Sequence, residues 1–367
     1  VTIPVTCDKN DENDKNNKND ESVENTNMNV NVDMNTSMNT NVNTNTNANV
    51  NVNANLNKNI AAGPDNFAEL KSRIAALKKE RNAVILAHNY QLPEIQDVAD
   101  FVGDSLGLSI EAQRSDSKVI VFCGVYFMAE TAKILSPDKT VLMPDADAGC
   151  PMASMITAAD LLELKAKHPG AKTICYVNSY ADIKAHCDYC CTSANALKMI
   201  ESLPYDEFIF VPDRYLGSFV KSKTGKKIHL WKGFCPVHLK FTVKNITDMR
   251  AKYPGAKVMV HPECSEEIVA AADYALGTEG MLRHAKSAAG ENEYIIGTEE
   301  SFVYRLSKEV PGKKFHVLSG VCVCPNMKKT TLEKLLWCLE DMKTEVIVDA
   351  GIAAKAKLSI DRMLEIT

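Results

Sequence analysis

The chain has 367 residues, with 42 Lys and Arg against 47 Asp and Glu, a formal net charge of −5 and a hydrophobic fraction of 45%, the balance of an ordinary globular protein. The slight acidity excludes a nucleic-acid-binding stripe, which needs a basic surplus to displace phosphate counterions, and no apolar run approaches the ~20 residues of a membrane span. Twelve cysteines in a chain that opens on VTIPVTCDKN, without the basic, apolar and small-residue order of a secretory leader, read as thiols or metal ligands of a cytoplasmic protein rather than as disulfides.

Residues 1–62 are a different polymer from the rest. Asn takes nearly every odd position from Asn25 to Asn59, and such a biased segment has no apolar face with which to offset the entropy of ordering, so a disordered tail is expected. From Phe67 the pattern changes: FAELKSRIAALKKE has helical spacing with Asp65 placed to cap it, and AVILAH follows as a short buried strand. Helical stretches then alternate with short apolar strands to the end, which predicts an α/β protein with parallel sheets.

The alternation repeats. RNAVILAHNYQ (81–91), HPGAKTICYVNS (168–179) and YPGAKVMVHPEC (253–264) form one series of strands. VIVFCG (119–124), FIFVPD (208–213) and EYIIGT (293–298) form a second, and TVLMPD (140–145), KIHLWKG (227–233) and KFHVLSG (314–320) a third. Each third strand leads into a Cys-Pro pair, Cys150-Pro151, Cys235-Pro236 and Cys324-Pro325, at a period of about 85–89 residues. The expected architecture is three similar αβα domains related by pseudo-threefold symmetry: 63–151 with part of the C-terminal helix, 152–236, and 237–367 with the C-terminal helices.

Three such units packed around an axis bring equivalent loops together at the carboxyl ends of their strands, where open α/β sheets bind ligands. Three thiolates, each stiffened by the following Pro, then hold either zinc or an iron–sulfur cube with one iron free of protein ligands, and spacing alone does not choose. Cys123 is the strongest rival ligand, Cys187, Cys190 and Cys191 form a C-x-x-C without a second pair, and Cys322 lies two residues before Cys324. Cys175 and Cys338 read as core, Cys264 follows a polar loop, and Cys7 lies in the tail. The first strands end in His88-Asn89-Tyr90, Tyr176-Val177-Asn178-Ser179 and His261-Pro262-Glu263, an inventory suited to proton transfer and orientation of polar atoms. His238, three residues after Cys235, joins them, whereas His168, His186, His229, His284 and His316 read as surface or packing. GDSLG (103–107), CTSAN (191–195) and GTEGM (277–281) each precede a helix; small and hydroxyl residues there present free N–H groups to carboxylate or phosphate. The ligand expected is small and polyanionic.

The series AHNYQ, GDSL, FCGVYFMAETAKIL, DAGCPMA, YVNS, TSANA, KTGKKIHLWKGFCPVH, HPEC, GTEGM and CPNMKKTTLEKL resembles type A quinolinate synthase over residues 67–367. The resemblance implies an oxygen-sensitive [4Fe–4S] enzyme of NAD biosynthesis that condenses iminoaspartate with dihydroxyacetone phosphate, with an aspartate oxidase or dehydrogenase supplying the imine. It places the cluster ligands on Cys150, Cys235 and Cys324 and not on Cys123. It places substrate-binding and catalytic positions on His88, Tyr90, Ser105, Tyr176, Asn178, Ser193, His238, His261, Glu263 and Thr278, with Tyr90, His88, His238 and Glu263 in the proton chemistry. Where relatives read Gly-Ser-Thr this chain has Gly277-Thr278-Glu279, and the C-x-x-C-x-x-C run of some relatives is reduced to Cys322 and Cys324, so no disulfide is carried over. Two other readings stand beside it: a cluster-dependent hydro-lyase acting on a di- or tricarboxylate, and a non-catalytic module that stores or senses clusters or zinc.

Overall fold

In the computed structural model, which describes residues 64–366, twelve short strands form three separate four-stranded sheets. The first contains β1 (Ala83–His88), β2 (Phe101–Gly103), β3 (Val119–Cys123) and β4 (Thr140–Leu142). The second contains β5 (Lys172–Tyr176), β6 (Tyr189–Cys191), β7 (Glu207–Val211) and β8 (Lys227–Leu230), and the third β9 (Lys257–Val260), β10 (Tyr274–Ala275), β11 (Glu293–Gly297) and β12 (Lys314–Val317). All pairings within them are parallel. The spatial order is the same each time, β2-β1-β3-β4, β6-β5-β7-β8 and β10-β9-β11-β12. The three-unit α/β architecture expected from the repeat is therefore present, and in each unit the chain reverses its direction of travel between the first and third strands, the topological position where such sheets bind ligands.

The central strands read as unbroken apolar runs because helices cover both faces: every residue of β1 and β3 is buried. The edge strands β2, β6 and β10 have only three, three and two residues and leave no periodicity in the sequence. They carry the chain to the loops 103–107, 191–195 and 277–281.

The helix Pro64–Glu80 includes Asp65, which therefore lies inside the first described turn rather than ahead of it as a cap. This helix and Leu332–Asp341 close the outer face of the first sheet, with Leu70, Ile74, Leu335 and Leu339 packed on Ile85 and Val121. The last helix, Ala350–Glu365, buries Ala356, Ile360 and Met363 and lies against β6 and the short helix Ala181–Lys184. The expectation for residues 1–62, and Cys7 with it, lies outside the described residues. Among the described residues no helix is long and apolar enough to cross a membrane.

Each Cys-Pro loop leads through a 3₁₀ turn, Ala153–Met155, His238–Lys240 or Met327–Lys329, into a helix capped by a threonine. Thr157, Thr242 and Thr331 each accept a hydrogen bond from the N–H three residues on, and each stands seven residues after its Cys. A side-chain cap of this kind contributes ~1 kcal/mol to the helix start, and here it fixes where the Cys loop must end.

Candidate active site

The carboxyl ends of the three sheets enclose one cavity of about 310 Å³. The three cysteines and the ten substrate-binding and catalytic positions that the resemblance implies all line it. His88 and Tyr90 come from the end of β1, Tyr176 and Asn178 from β5, and His261 and Glu263 from β9; Ser105, Ser193 and Thr278 follow the edge strands. Cys150, Cys235, Cys324 and His238 come from the Cys-Pro loops, and Val125, Phe127 and Met128 of the first unit, with Met152 just beyond Cys150-Pro151, make an apolar wall.

The three cysteines are held alike. The backbone N–H groups two and three residues beyond each one hydrogen-bond to its sulfur: Met152 and Ala153 for Cys150, Val237 and His238 for Cys235, Asn326 and Met327 for Cys324. One more backbone contact fixes a loop, Cys324 N–H donating to Glu299 (3.2 Å). Burial pushes the Cys150 thiol up to about 12 and raises those of Cys235 and Cys324 as well. Three thiolates in this place need a cation to hold them ionised, and two backbone N–H groups on each sulfur suit the anionic sulfurs of a bound metal centre. The donor set fits a cluster held by three thiolates.

Two histidines share one local geometry. His88 Nδ1 accepts from the N–H of Tyr90 (3.2 Å) and His261 Nδ1 from the N–H of Glu263 (3.3 Å), so each ring carries its proton on Nε2. His261 Nε2 meets Ser193 Oγ at 3.2 Å. Burial lowers His88 to about 3 and His261 to about 4, which makes both neutral donors at neutral pH.

A continuous hydrogen-bonded path links the two tyrosines. Tyr90 Oη lies 2.6 Å from Thr298 Oγ1, Thr298 Oγ1 lies 2.9 Å from His238 Nε2, and His238 Nδ1 lies 2.9 Å from Glu263 Oε2. Glu263 Oε1 accepts from the Tyr176 hydroxyl at 2.5 Å. Burial alone would raise the Glu263 carboxyl, but His261, His238 and the hydrogen bonds from His238 and Tyr176 hold it well below the ordinary carboxylate range. Burial and the same carboxylate raise both phenols, so they stay protonated. A carboxylate only accepts, so His238 donates through Nδ1, and Thr298 Oγ1, able both to accept and to donate, bridges His238 Nε2 and the Tyr90 hydroxyl. Thr298 is wholly buried at the end of β11 and was not singled out from the sequence, where one hydroxyl after a strand looks like many others.

The three helix starts are not equivalent. Ahead of Ser105, Asp104 caps its own helix through the Gly107 N–H (2.8 Å), and burial pushes its carboxyl up to about 6. Ser193 stands three residues before Ala196–Ser202. Only Thr278 opens its helix with no side-chain cap, and its hydroxyl oxygen accepts from Asn89 Nδ2 (2.8 Å), leaving its proton for a ligand. Asn89 is in turn held by Arg305, which also pairs with Glu279. Gly277 leaves room for the Ser193 hydroxyl, since a Cβ there would stand 2.7 Å from Ser193 Oγ and turn it away. The three starts thus differ: at the first, a carboxylate of the chain takes the Gly107 N–H. Asn178 Oδ1 is buried with no partner among the described residues, and Lys240 is the one Lys or Arg side chain among the described residues lining the cavity.

The other described cysteines lie elsewhere. Cys123 is enclosed in the core of the first sheet with Cys338 nearby, and Cys322 points its thiol at Val237 O (3.5 Å). Cys190 pairs across the second sheet with Cys175, and Cys264 faces Gly297 O.

Residues 72–365 match the model of the family described as quinolinate synthetase A protein. The chain is 54% identical over 297 residues to a quinolinate synthase of Dehalococcoides mccartyi, covering 81% of this chain and 98% of that one. It is 51% identical over 298 residues to a quinolinate synthase of Geotalea uraniireducens (81% and 98%) and 50% identical over 299 residues to one of Methanosarcina barkeri (82% and 98%).

Proposed function

Because the chain belongs to the quinolinate synthetase A protein family, we propose that it is the quinolinate synthase of NAD biosynthesis that condenses iminoaspartate with dihydroxyacetone phosphate, releasing phosphate and two waters. The observation that carries this reading is the single cavity in which three Cys-Pro sulfurs face a buried relay of Tyr90, Thr298, His238, Glu263 and Tyr176. A storage or sensing module needs the sulfurs but not the relay.

Cys150, Cys235 and Cys324 would hold a [4Fe–4S] cluster. Bound by three thiolates, such a cluster supplies one iron without a protein ligand, a Lewis acid for substrate oxygen or nitrogen. The rest falls to side chains. Enolising the keto-phosphate and expelling water need a base and an acid on opposite sides of a small molecule, and the relay offers a phenol at each end with a carboxylate and an imidazole between. A proton passed from Tyr90 through Thr298 to His238 Nε2 leaves Tyr90 a phenolate base, and its return along the same path makes Tyr90 an acid again. Neutral His88 and His261 orient substrate oxygens through Nε2–H. Thr278, Ser193, Ser105 and Asn178 bind carboxylate and phosphate oxygens, and Lys240 adds the positive charge a phosphate requires. The apolar wall excludes water and strengthens these contacts. Imines hydrolyse in water, so an aspartate oxidase or dehydrogenase in the same cytoplasmic compartment supplies the substrate.

The test is anaerobic. Purified protein should contain iron and sulfide near four each per chain and form quinolinate from the imine and the triose phosphate. One zinc per chain without quinolinate, or dehydration of a di- or tricarboxylate in its place, refutes the reading.

A further inference from the structure

The second sheet carries, near the amino-terminal ends of its strands, a group of side chains that the cavity does not use. His168 caps the helix Ala158–Lys167, Glu207 opens β7, and His229 lies in β8. The two imidazoles stack with centroids 3.5 Å apart and planes at 19°, and His229 Nε2 lies 2.7 Å from Glu207 Oε1. One ligand atom from each of the three falls within 4.8 Å of the other two.

The third sheet repeats the arrangement with one change. Glu293 opens β11, His316 lies in β12, and His316 Nε2 is 2.9 Å from Glu293 Oε1. The register is identical: Ile209 pairs with His229 as Ile295 pairs with His316. At the position of His168 stands Tyr253, its ring stacked on His316 at 3.7 Å and 13°. In the first sheet the matching register positions are Val119 and Leu142, buried in one cluster with Leu332 and Leu335 of the covering helix. A His–Glu pair is therefore what the two uncovered sheet ends share. The imidazole at position 168 is what the second adds.

We infer that His168, Glu207 and His229 form a site for a divalent first-row transition ion of the zinc class, separate from the cavity. Two imidazoles and one carboxylate are a common zinc donor set that leaves a position for water. In a tetrahedral site with bonds near 2.0–2.1 Å the ligand atoms stand ~3.3 Å apart, and rotation of these partly exposed side chains closes the remaining gap. Lys227 Nζ, 2.9 Å from Glu207 Oε1, is 66% exposed and yields to the ion. Tyr253 puts a phenol ring, with no imidazole nitrogen, at this place, so the third sheet lacks the third nitrogen or carboxylate donor.

The test is equilibrium dialysis of the anaerobically purified full chain against micromolar Zn²⁺, with zinc and iron counted by elemental analysis and zinc-edge X-ray absorption reporting its ligands. Wild type should take up one zinc with a nitrogen and oxygen shell free of sulfur, at unchanged iron content. His168→Tyr, which copies packing the third sheet already has, and His229→Gln, which keeps a hydrogen-bonding group beside Glu207, should each lose that zinc, and Tyr253→His should bind two. Wild type without sulfur-free zinc, either loss variant that retains it, or Tyr253→His with one zinc overturns the inference, whatever the quinolinate assay shows.

Discussion

Replacing Thr298 by Val tests the relay at the one member that lies behind the cavity wall. The change keeps the side chain's shape and removes one hydroxyl, which stands 2.6 Å from Tyr90 Oη and 2.9 Å from His238 Nε2. Leaving a buried polar group unpartnered costs about 1–3 kcal/mol. Tyr90 and His238 both border the cavity, where water can replace the lost partner, so the stability loss should stay near the low end for the pair. The effect on turnover is larger. General acid–base steps are worth about 10²–10⁴ in rate, or roughly 3–5 kcal/mol of barrier, and without Thr298 the Tyr90 phenol is disconnected from the His238–Glu263 pair. The assay is anaerobic quinolinate formation with kcat and KM measured separately and iron counted on the same sample. Thr298→Val should lower kcat about a hundredfold or more with KM and iron content little changed, and Thr298→Ser, which restores the hydroxyl, should recover most of it. A Thr298→Val enzyme with full iron and kcat within threefold of wild type refutes the relay, as does Thr298→Ser behaving like Thr298→Val.

Three further perturbations address the neighbouring groups. Cys150→Ala, Cys235→Ala and Cys324→Ala should each abolish bound iron and visible absorbance in anaerobic preparations, while Cys123→Ala, in the core of the first sheet, should keep both; the reverse result would reassign the ligands. Glu263→Gln should retain its iron, since the carboxylate is not one of the three sulfur donors, yet lose about 10²–10⁴ in kcat; undiminished turnover removes Glu263 from the proton chemistry. Asp104 has a folded pKa of about 6 against an ordinary 3.8, so between those values the folded state binds more protons and stability falls as pH rises. Asp104→Asn keeps a good helix cap and should gain up to about 3 kcal/mol over wild type at pH 7, a gain that shrinks towards pH 4; urea midpoints equally far apart at pH 5 and pH 7 would refute the assignment.

Much of this arrangement is legible in the sequence because the repeat acts as its own alignment. Nine of the strands are largely apolar segments of three to six residues, and three registers agreeing at three levels identify the units and place the Cys-Pro loops on equivalent strand ends. The edge strands escape because two or three residues cannot show a period. Thr298 escapes because its role is set by Tyr90 and His238, far away along the chain, and no local pattern encodes that meeting. The Asp104 carboxylate escapes for the opposite reason: a cap residue reads as local structure, and only the fold brings it to the cavity wall beside Ser105. The Thr that follows each Cys by seven residues was readable, as a third element of the same period, but a lone helix cap draws no notice until its two copies are set beside it.

The threefold scaffold also explains how a symmetric frame makes an asymmetric site. Each Cys-Pro loop is kept the same down to two N–H groups on the sulfur and a threonine cap seven residues on, as three equal donors to one centre demand. The strand ends answer to a different constraint, since a small polar molecule has a distinct group on every side. There the units have diverged to His88 and Tyr90, Tyr176 and Asn178, and His261 and Glu263, so each sheet contributes a different proton affinity to the same volume. The outer ends follow burial instead. Where helices cover the first sheet its positions are apolar, and where solvent reaches the other two a His–Glu pair appears at the same register. Sequence identity between the units is therefore low where chemistry or exposure differs and high only where all three must do the same thing, which is why the Cys-Pro pairs were the part of the repeat easiest to see.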